Sequence, residues 1–247
     1  MKKIAMTAAV LATMAGSAFA QQVVRIGTEG AYAPYNFIND SGKLDGYEVE
    51  LGGELCKRLS LTCEFVQNDW DTIMANLNSG NYDLIMAGMS ITEERKKDRL
   101  FTQNYTPPTV SLYVAASDDV DVTKGIVAAQ TATIQAQHVA ESGATLVEFA
   151  TPDETVSAVR NGEADAVLAD LDYLQPIVDQ SNGELVIVDR VQLAEGVVLP
   201  GPAQVARRVG HVETVTCHHG IPGLAEPAVG GADAAEVAAV GQRGGVD

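Results

Sequence analysis

The stretch VVRIGTEGAYAPYNF, residues 23–37, places a short strand directly before a polar, aromatic loop. A β-branched run, Val23–Ile26, predicts the strand, and a glycine ends it. A carboxylate, Glu29, and two aromatic rings, Tyr32 and Tyr35, follow on the loop. Aromatic residues make up only 5% of the chain, so rings on a loop need an explanation. We expect Tyr35 to serve in packing, whereas Glu29 and Tyr32 are interpreted below.

Strand-like and helix-like patterns alternate downstream, which predicts layers of α/β structure. Leu51, Leu55 and Leu59, for example, recur at every fourth position, as on one face of a helix. We predict strands at 23–26, 64–66, 126–129, 145–149, 166–168 and 184–188, a further buried strand within 83–90, a helix start within 92–99, and helices at 48–59, 69–77, 133–141, 154–161 and 171–180.

Paired prolines, Pro107 and Pro108, interrupt this alternation. Proline fixes its own backbone and disfavours a helix before it, so residues 104–115 are predicted to form an extended crossing segment. A second set of strands and helices follows. We therefore predict two lobes, residues 21–108 and 109–190, joined by extended crossovers, with a ligand cleft between them.

Residues 1–20 have the features of a secretory signal peptide. Lys2 and Lys3 precede an apolar stretch, and small residues around Phe19 form a cleavage pattern. The apolar stretch is too short to span a membrane, and no later segment reaches the ~18 continuous apolar residues that a span needs. We predict export to the periplasm as a soluble protein.

The charge balance argues against two classes of partner. The chain has 16 basic and 33 acidic residues, a formal charge of −17, and loss of Lys2 and Lys3 with the leader makes it −19. Such a chain repels nucleic acid and anionic membrane surfaces, so neither is predicted as a partner. The acidic surface keeps an exported protein soluble, or it attracts cationic ligands.

Two of the three cysteines, Cys56 and Cys63, lie close together in ELCKRLSLTCEF. An oxidising compartment permits a disulfide between them, from a helix end to the following strand. Metal binding is the alternative, but no histidine lies near them in the sequence. We predict the disulfide, and neither a metal nor a cofactor.

Several motifs resemble those of the periplasmic substrate-binding proteins of polar amino-acid ABC importers, solute-binding protein family 3. They are RIGTEGAYAPYNF, DGYEVELGGELCKRL, DWDTIMANLNSGNYDLIMAGMSITEERK and FTQNYT, and the likeness covers residues 22–190. It is greatest to the lysine/arginine/ornithine- and histidine-binding branch. The resemblance implies a two-lobed, type II periplasmic-binding-protein fold. It also implies a monomer that closes around one free amino acid and delivers it to a membrane permease. We expect arginine, lysine or ornithine, with another polar amino acid or an opine as the alternative.

The resemblance assigns a partner to each charge of an amino-acid backbone. Arg95 matches the arginine that grips the α-carboxylate through two parallel N–H bonds, which a lysine cannot copy. The sequence pattern alone would also place Arg95 on a solvated helix face. Asp170 matches the acid for the α-ammonium group, and it ends a strand, where α/β sheets place ligand groups. A helix N-cap is the alternative for Asp170.

Three further matches concern the ligand's side chain. Tyr32 and Trp70 match two aromatic walls that could sandwich an aliphatic chain or a guanidinium group. The alternative for Trp70 is a place in the core. Glu29 matches an acid that meets the cationic end of a basic side chain.

The last matches are hydrogen-bonding positions. Gly88, through its backbone, and Ser90 match residues that bond the ligand. Thr133 and the backbone N–H groups beside it could donate to the α-carboxylate from a helix start. Ordinary N-capping by Thr131 or Thr133 is the alternative.

An enzyme is the first rival function, because this fold has relatives that dehydrate cyclic amino-acid precursors. The chain offers no Gly-x-Ser-x-Gly elbow and no metal-spaced histidine pair on a helix, so we predict no enzyme. A sensor domain of a membrane receptor is the second rival, and no apolar segment follows that would anchor one.

Residues 191–247 break the pattern. The resemblance implies that this segment returns to complete lobe 1, but it contains no Phe, Tyr, Trp or Lys. We predict that the C-terminal part of lobe 1 is aberrant, through a reading-frame shift near residues 191–200 or through genuine divergence. His211, His218, His219 and Cys217 lie in this segment, but adjacent histidines rarely make a clean coordination set, so no metal site is predicted there.

Overall fold

The computed structural model describes residues 23–97, 99–107 and 109–193, together with three two-residue strands, Pro200–Gly201, Val215–Thr216 and Glu236–Val237. The predicted signal peptide and most of the atypical tail lie outside these residues, so both stay predictions.

Lobe 1 is built on a parallel sheet. In chain order it contains β1 (Val23–Thr28), β2 (Ala31–Tyr32), β3 (Asn36–Ile38), β4 (Leu44–Asp45), α1 (Tyr47–Arg58), β5 (Thr62–Gln67), α2 (Trp70–Asn78), β6 (Leu84–Ile85), α3 (Glu93–Lys96) and β7 (Leu100–Phe101). Strand β1 lies between β5 and β6, and β2, β3 and β4 form an antiparallel meander beside this sheet. Pro200–Gly201 pairs antiparallel with β7.

The core of lobe 1 forms where helices cover the sheet. Ile73 and Leu77, one turn apart on α2, are buried in one cluster with Ile85 of β6. On α1, Gly52 lets the helix approach β5, because an added Cβ would lie 2.7 Å from the ring of Phe65. The loops that follow β1 and β6 therefore extend from the packed core of lobe 1.

Cys56 and Cys63 form a disulfide between α1 and β5, with their Cα atoms 6.1 Å apart. The predicted pairing is thereby confirmed. Because it closes a short loop, the bridge stabilises the fold by about 2.5 kcal/mol, chiefly by restricting the unfolded chain.

Lobe 2 has a mixed five-stranded sheet. It contains β8 (Ser111–Ala115), β9 (Ile126–Gln130), α4 (Ile134–Glu141), β10 (Thr145–Phe149), α5 (Pro152–Arg160), β11 (Ala166–Asp170), α6 (Leu171–Gln180) and β12 (Val186–Val191). The strand order is β10-β9-β11-β8-β12, and β8 runs antiparallel to both of its neighbours. Leu112 and Val114 of β8 join a buried cluster with α5 and α6, whereas Tyr113 joins another with α4. Helices thus cover both faces, as the pleat of β8 requires.

The predicted α/β organisation is confirmed, and each predicted helix or strand overlaps an observed one. Two features differ. The segment predicted as an extended crossing contains β8, whose backbone pairs on both sides and is fully buried. Helix α5 begins at Pro152 rather than at Glu154, because Thr151 caps it and proline suits the first helical turn. The predicted lobe boundaries stay predictions.

Candidate functional site

A cavity with a free volume of about 40 Å³ lies between the lobes. It is lined by all eight residues predicted to bind a ligand: Glu29, Tyr32, Trp70, Gly88, Ser90 and Arg95 of lobe 1, and Thr133 and Asp170 of lobe 2. A volume of this size admits only a few water molecules.

Glu29 directly follows β1 and is only 6% exposed. Its Oε1 accepts a hydrogen bond of 2.6 Å from Nε2 of Gln130, which also donates to the carbonyl oxygen of Ala150 at 3.0 Å. Burial is the main cause that raises the pKa of Glu29 to about 7; the bond from Gln130 opposes this rise, and the nearby Asp69 and Asp153 add to it. Glu29 can therefore exchange a proton near neutral pH.

Arg95 is half-buried, whereas its neighbours Lys96 and Lys97 are exposed. Its Nη1 donates to the carbonyl oxygen of Ser90 at 2.9 Å, and its Nη2 reaches the carbonyl oxygen of Ala132 in lobe 2 at 3.3 Å. Burial lowers the pKa of Arg95 to about 10, so the guanidinium group remains charged at neutral pH. This placement agrees with an anion-binding role better than with a solvated helix face.

Asp170 ends β11 and precedes α6. Among the described residues, its carboxylate does not cap the helix but accepts hydrogen bonds from the Tyr32 hydroxyl at 2.7 Å, Ser111 Oγ at 3.1 Å and Gln135 Nε2 at 2.7 Å. Burial raises the pKa of Asp170, and these bonds counteract the shift. The carboxylate is thus aimed into the cavity and held by both lobes.

The two predicted aromatic walls have partners within the protein in this conformation. The ring of Tyr32 stacks with Tyr35 and Tyr173, at centroid distances of 6.0 and 5.2 Å. Trp70 is buried in the lobe 1 core and also lines the cavity, and the guanidinium carbon of Arg95 lies 5.8 Å from its ring centroid. Trp70 therefore belongs to the core and also lines the cavity. Binding of a ligand between the two rings stays a prediction.

Two expected donors are already engaged. The Gly88 N–H donates to Oε1 of Glu48 at 2.7 Å. The Thr133 hydroxyl donates to the carbonyl oxygen of Gln130 at 2.6 Å and accepts from the N–H of Ala136 at 3.1 Å. Thr133 is thus the N-cap of α4, the alternative left open above. In this conformation both donors therefore bond to groups of the protein itself.

The sequence analysis missed polar residues that shape the site. Gln130 and Gln135 both line the cavity; Gln130 ends a strand, and this position could have identified it. Glu48 is fully buried and accepts hydrogen bonds from Gly88 N–H, from Asn36 Nδ2 at 2.7 Å and from the Tyr105 hydroxyl. Glu48 lies on the apolar face of α1, and this position could have identified it from the sequence, because a carboxylate there needs buried partners.

Two features are absent from the described residues of 23–97, 99–107 and 109–193. No group of three His, Cys, Asp or Glu side chains in the described ranges could hold a metal ion. In the same ranges, no helix is long and apolar enough to cross a membrane.

Comparisons with known proteins agree on one family. Residues 24–149 match the family described as bacterial extracellular solute-binding proteins, family 3. The histidine-binding periplasmic protein of Salmonella typhimurium is 33% identical over 183 residues, which cover 69% of this chain and 70% of the relative. The octopine-binding periplasmic protein of Rhizobium meliloti is 45% identical over 98 residues, which cover 39% of this chain and 33% of the relative.

A solved structure supports the same grouping. It is a periplasmic His/Glu/Gln/Arg/opine family-binding protein from Silicibacter pomeroyi in complex with lysine. This neighbour is 67% identical, has a TM-score of 0.71, and the match covers 73% of this chain and 83% of the neighbour.

Proposed function

Because the chain belongs to the bacterial extracellular solute-binding proteins, family 3, we propose that it binds a free basic amino acid in the periplasm and delivers it to the permease of an ABC importer. Its fold is the two-lobed type II periplasmic-binding-protein fold. The observation that carries the proposal is that Glu29, Arg95 and Asp170 line one cavity between the lobes. A basic amino acid has three charges, and each finds an opposite charge there.

Arg95 is the proposed partner of the α-carboxylate. A guanidinium group has five N–H donors in a planar fork, so it can keep its bonds to Ser90 and Ala132 and still offer donors to a carboxylate. A buried carboxylate needs such a partner, since burying an unpaired charge is costly. Lysine in place of Arg95 could not reproduce this geometry.

Asp170 and Glu29 are the proposed partners of the two cationic groups. Asp170 would accept from the α-ammonium group, in exchange for the bond that Tyr32 now makes. Glu29 would pair with the ammonium or guanidinium end of the side chain, in exchange for Gln130. Both exchanges replace a neutral donor by a charged one, which strengthens the hydrogen bond.

An opine is the second candidate, supported by the identity to the octopine-binding protein. Octopine has the guanidinium end of arginine but a substituted α-nitrogen and a second carboxylate. It would therefore retain the pairing with Glu29 and change the pairing at Asp170.

Isothermal titration with arginine, lysine, ornithine, histidine, glutamine, glutamate and octopine tests the proposal. We expect the basic amino acids to bind and the acidic one not to bind. Glu29→Gln should selectively weaken the cationic ligands, whereas Asp170→Asn should weaken all of them. Binding of glutamine or glutamate without binding of arginine would refute the role of Glu29. Recovery of the ligand unchanged after long incubation separates a binding protein from an enzyme.

A further inference from the structure

Tyr35 and Asp172 connect the lobes outside the cavity. The Tyr35 hydroxyl donates to Oδ2 of Asp172 at 2.6 Å, across 137 positions of sequence. Tyr35 belongs to lobe 1, between β2 and β3, and Asp172 to the first turn of α6 in lobe 2. Neither residue lines the cavity. We propose that this pair is a latch that sets ligand affinity by stabilising the closed form, without touching the ligand.

Both ends of the latch are held firmly within their own lobes. Tyr35 is 8% exposed, its N–H donates to the carbonyl oxygen of Tyr32, and its carbonyl oxygen accepts from the N–H of Glu48. Asp172 lies in the first turn of α6, where the helix dipole favours a negative charge. Burial raises the pKa of Tyr35, so its hydroxyl stays a donor at any physiological pH. The bond therefore forms when the two lobes meet and breaks when they separate.

The latch differs from the other hydroxyl–carboxylate bond between the lobes. Tyr32 also bonds an acid of lobe 2, Asp170, but both of these residues line the cavity, so a ligand ammonium group would compete for that acid. Asp172 has no such competitor in the cavity. The bond from Tyr35 can therefore persist in the liganded form and contribute equally for every ligand.

The consequence follows from the coupling of closure to binding. If only the closed form holds the ligand tightly, the apparent dissociation constant rises as the closed form becomes less populated. A hydrogen bond from a phenol to a carboxylate is charge-assisted. A variant whose closed form lacks this bond should have a Kd about ten-fold higher. The same factor should apply to each ligand. This inference rests on the proposed function, because it presumes a ligand that binds between the lobes.

The test compares Tyr35→Phe, Asp172→Ala and the double variant, which together form a double-mutant cycle. Tyr82→Phe is the matched control, since the Tyr82 hydroxyl donates to the carbonyl oxygen of Ile73 within lobe 1. Kd is measured by calorimetry for arginine, lysine and histidine. Closure without ligand is followed by ¹⁹F NMR of fluorotryptophan, because the chain has a single Trp, Trp70, which lines the cavity.

We expect Tyr35→Phe to raise Kd about ten-fold for every ligand that binds, with no further rise in the double variant and no change in Tyr82→Phe. A rise of less than about two-fold, or one that differs between ligands, would overturn the latch. An equal rise in Tyr82→Phe would do the same. If the wild-type protein binds no amino acid, the proposed function fails, and the latch is judged by ¹⁹F NMR alone. The latch is then supported if Tyr35→Phe lowers the population of the closed form, and it is refuted if that population is unchanged.

Discussion

Binding of a basic ligand should release a proton from Glu29. Burial holds the pKa of this carboxyl at about 7 in the ligand-free protein, so half of the molecules carry the proton at neutral pH. A cationic ligand group requires the ionised carboxylate and favours it by its own charge. The pKa of Glu29 in the complex should therefore fall towards its ordinary value or below it.

The magnitude follows from the raised pKa of Glu29. With a pKa of about 7 before binding and a low value after it, affinity is nearly independent of pH above about pH 8. At about pH 5.5, roughly 97% of the carboxyl groups are protonated before binding, so Kd for arginine should be about 30-fold higher than at about pH 8. This ratio corresponds to about 2 kcal/mol of binding free energy.

Isothermal titration in buffers with different ionisation enthalpies measures the released proton directly. We expect roughly half a proton per arginine near neutral pH and almost one near pH 6. Citrulline, the neutral isostere of arginine, should release none from Glu29. Glu29→Gln is the decisive control, because Glu48 and Asp170 also have pKa values raised by burial. A flat pH profile in the wild-type protein, or the same profile in Glu29→Gln, would show that Glu29 does not release the proton.

Other expected outcomes follow from single contacts. Arg95→Lys should weaken every ligand at least about 100-fold in calorimetry while the thermal midpoint changes little, because lysine cannot make two parallel bonds to a carboxylate; loss of only cationic ligands would contradict this. Replacing Cys56 and Cys63 together by serine should lower the free energy of unfolding in urea by about 2.5 kcal/mol and leave Kd unchanged, and an equal stability of both proteins would contradict the entropic argument. Gly52→Ala should destabilise lobe 1 by about 1–3 kcal/mol, because its added carbon would lie 2.7 Å from the ring of Phe65. The adjacent Gly53→Ala faces open space on the same helix and should stabilise the protein by about 0.5–1 kcal/mol; the same effect of both changes would show that the close approach is irrelevant.

Most of the fold could be predicted because the local patterns agree with the tertiary structure. The spacing of Leu51 and Leu55 predicted helix α1, although its most buried residues are Glu48 and Gly52, and Asp170 marks the end of β11. Strand β8 was missed as a sheet strand because its neighbours in space, β11 and β12, lie more than fifty residues away. Pairing over such a distance leaves no trace in a local pattern, while the prolines before β8 suggested an irregular segment.

The side-chain pairings of the site could not be predicted. Sequence motifs named the cavity-lining residues, but they did not show that Gly88 donates to Glu48 or that Thr133 caps α4. Tyr35 was expected only to pack, yet its hydroxyl bonds the opposite lobe. The Gly88–Glu48 and Tyr35–Asp172 contacts join elements that are close only after folding, whereas the Thr133 cap is local and the sequence had left it open as an alternative. The residue types indicate which bonds are possible, and the tertiary structure selects among them.

The hydrogen bonds of the charged cavity residues affect which ligands the protein prefers. Glu29 bonds Gln130, Asp170 bonds three neutral donors, and Arg95 bonds two carbonyl oxygens, so each charged group of the cavity has a substitute partner in the protein. Such partners lower the cost of burying these groups in a closed form, since an unpaired buried charge is expensive. A neutral amino acid can therefore leave the Glu29–Gln130 bond intact, and it loses only the gain that a cation would add. At low pH, where Glu29 is protonated, that gain disappears, and the preference for basic over neutral side chains should shrink with it.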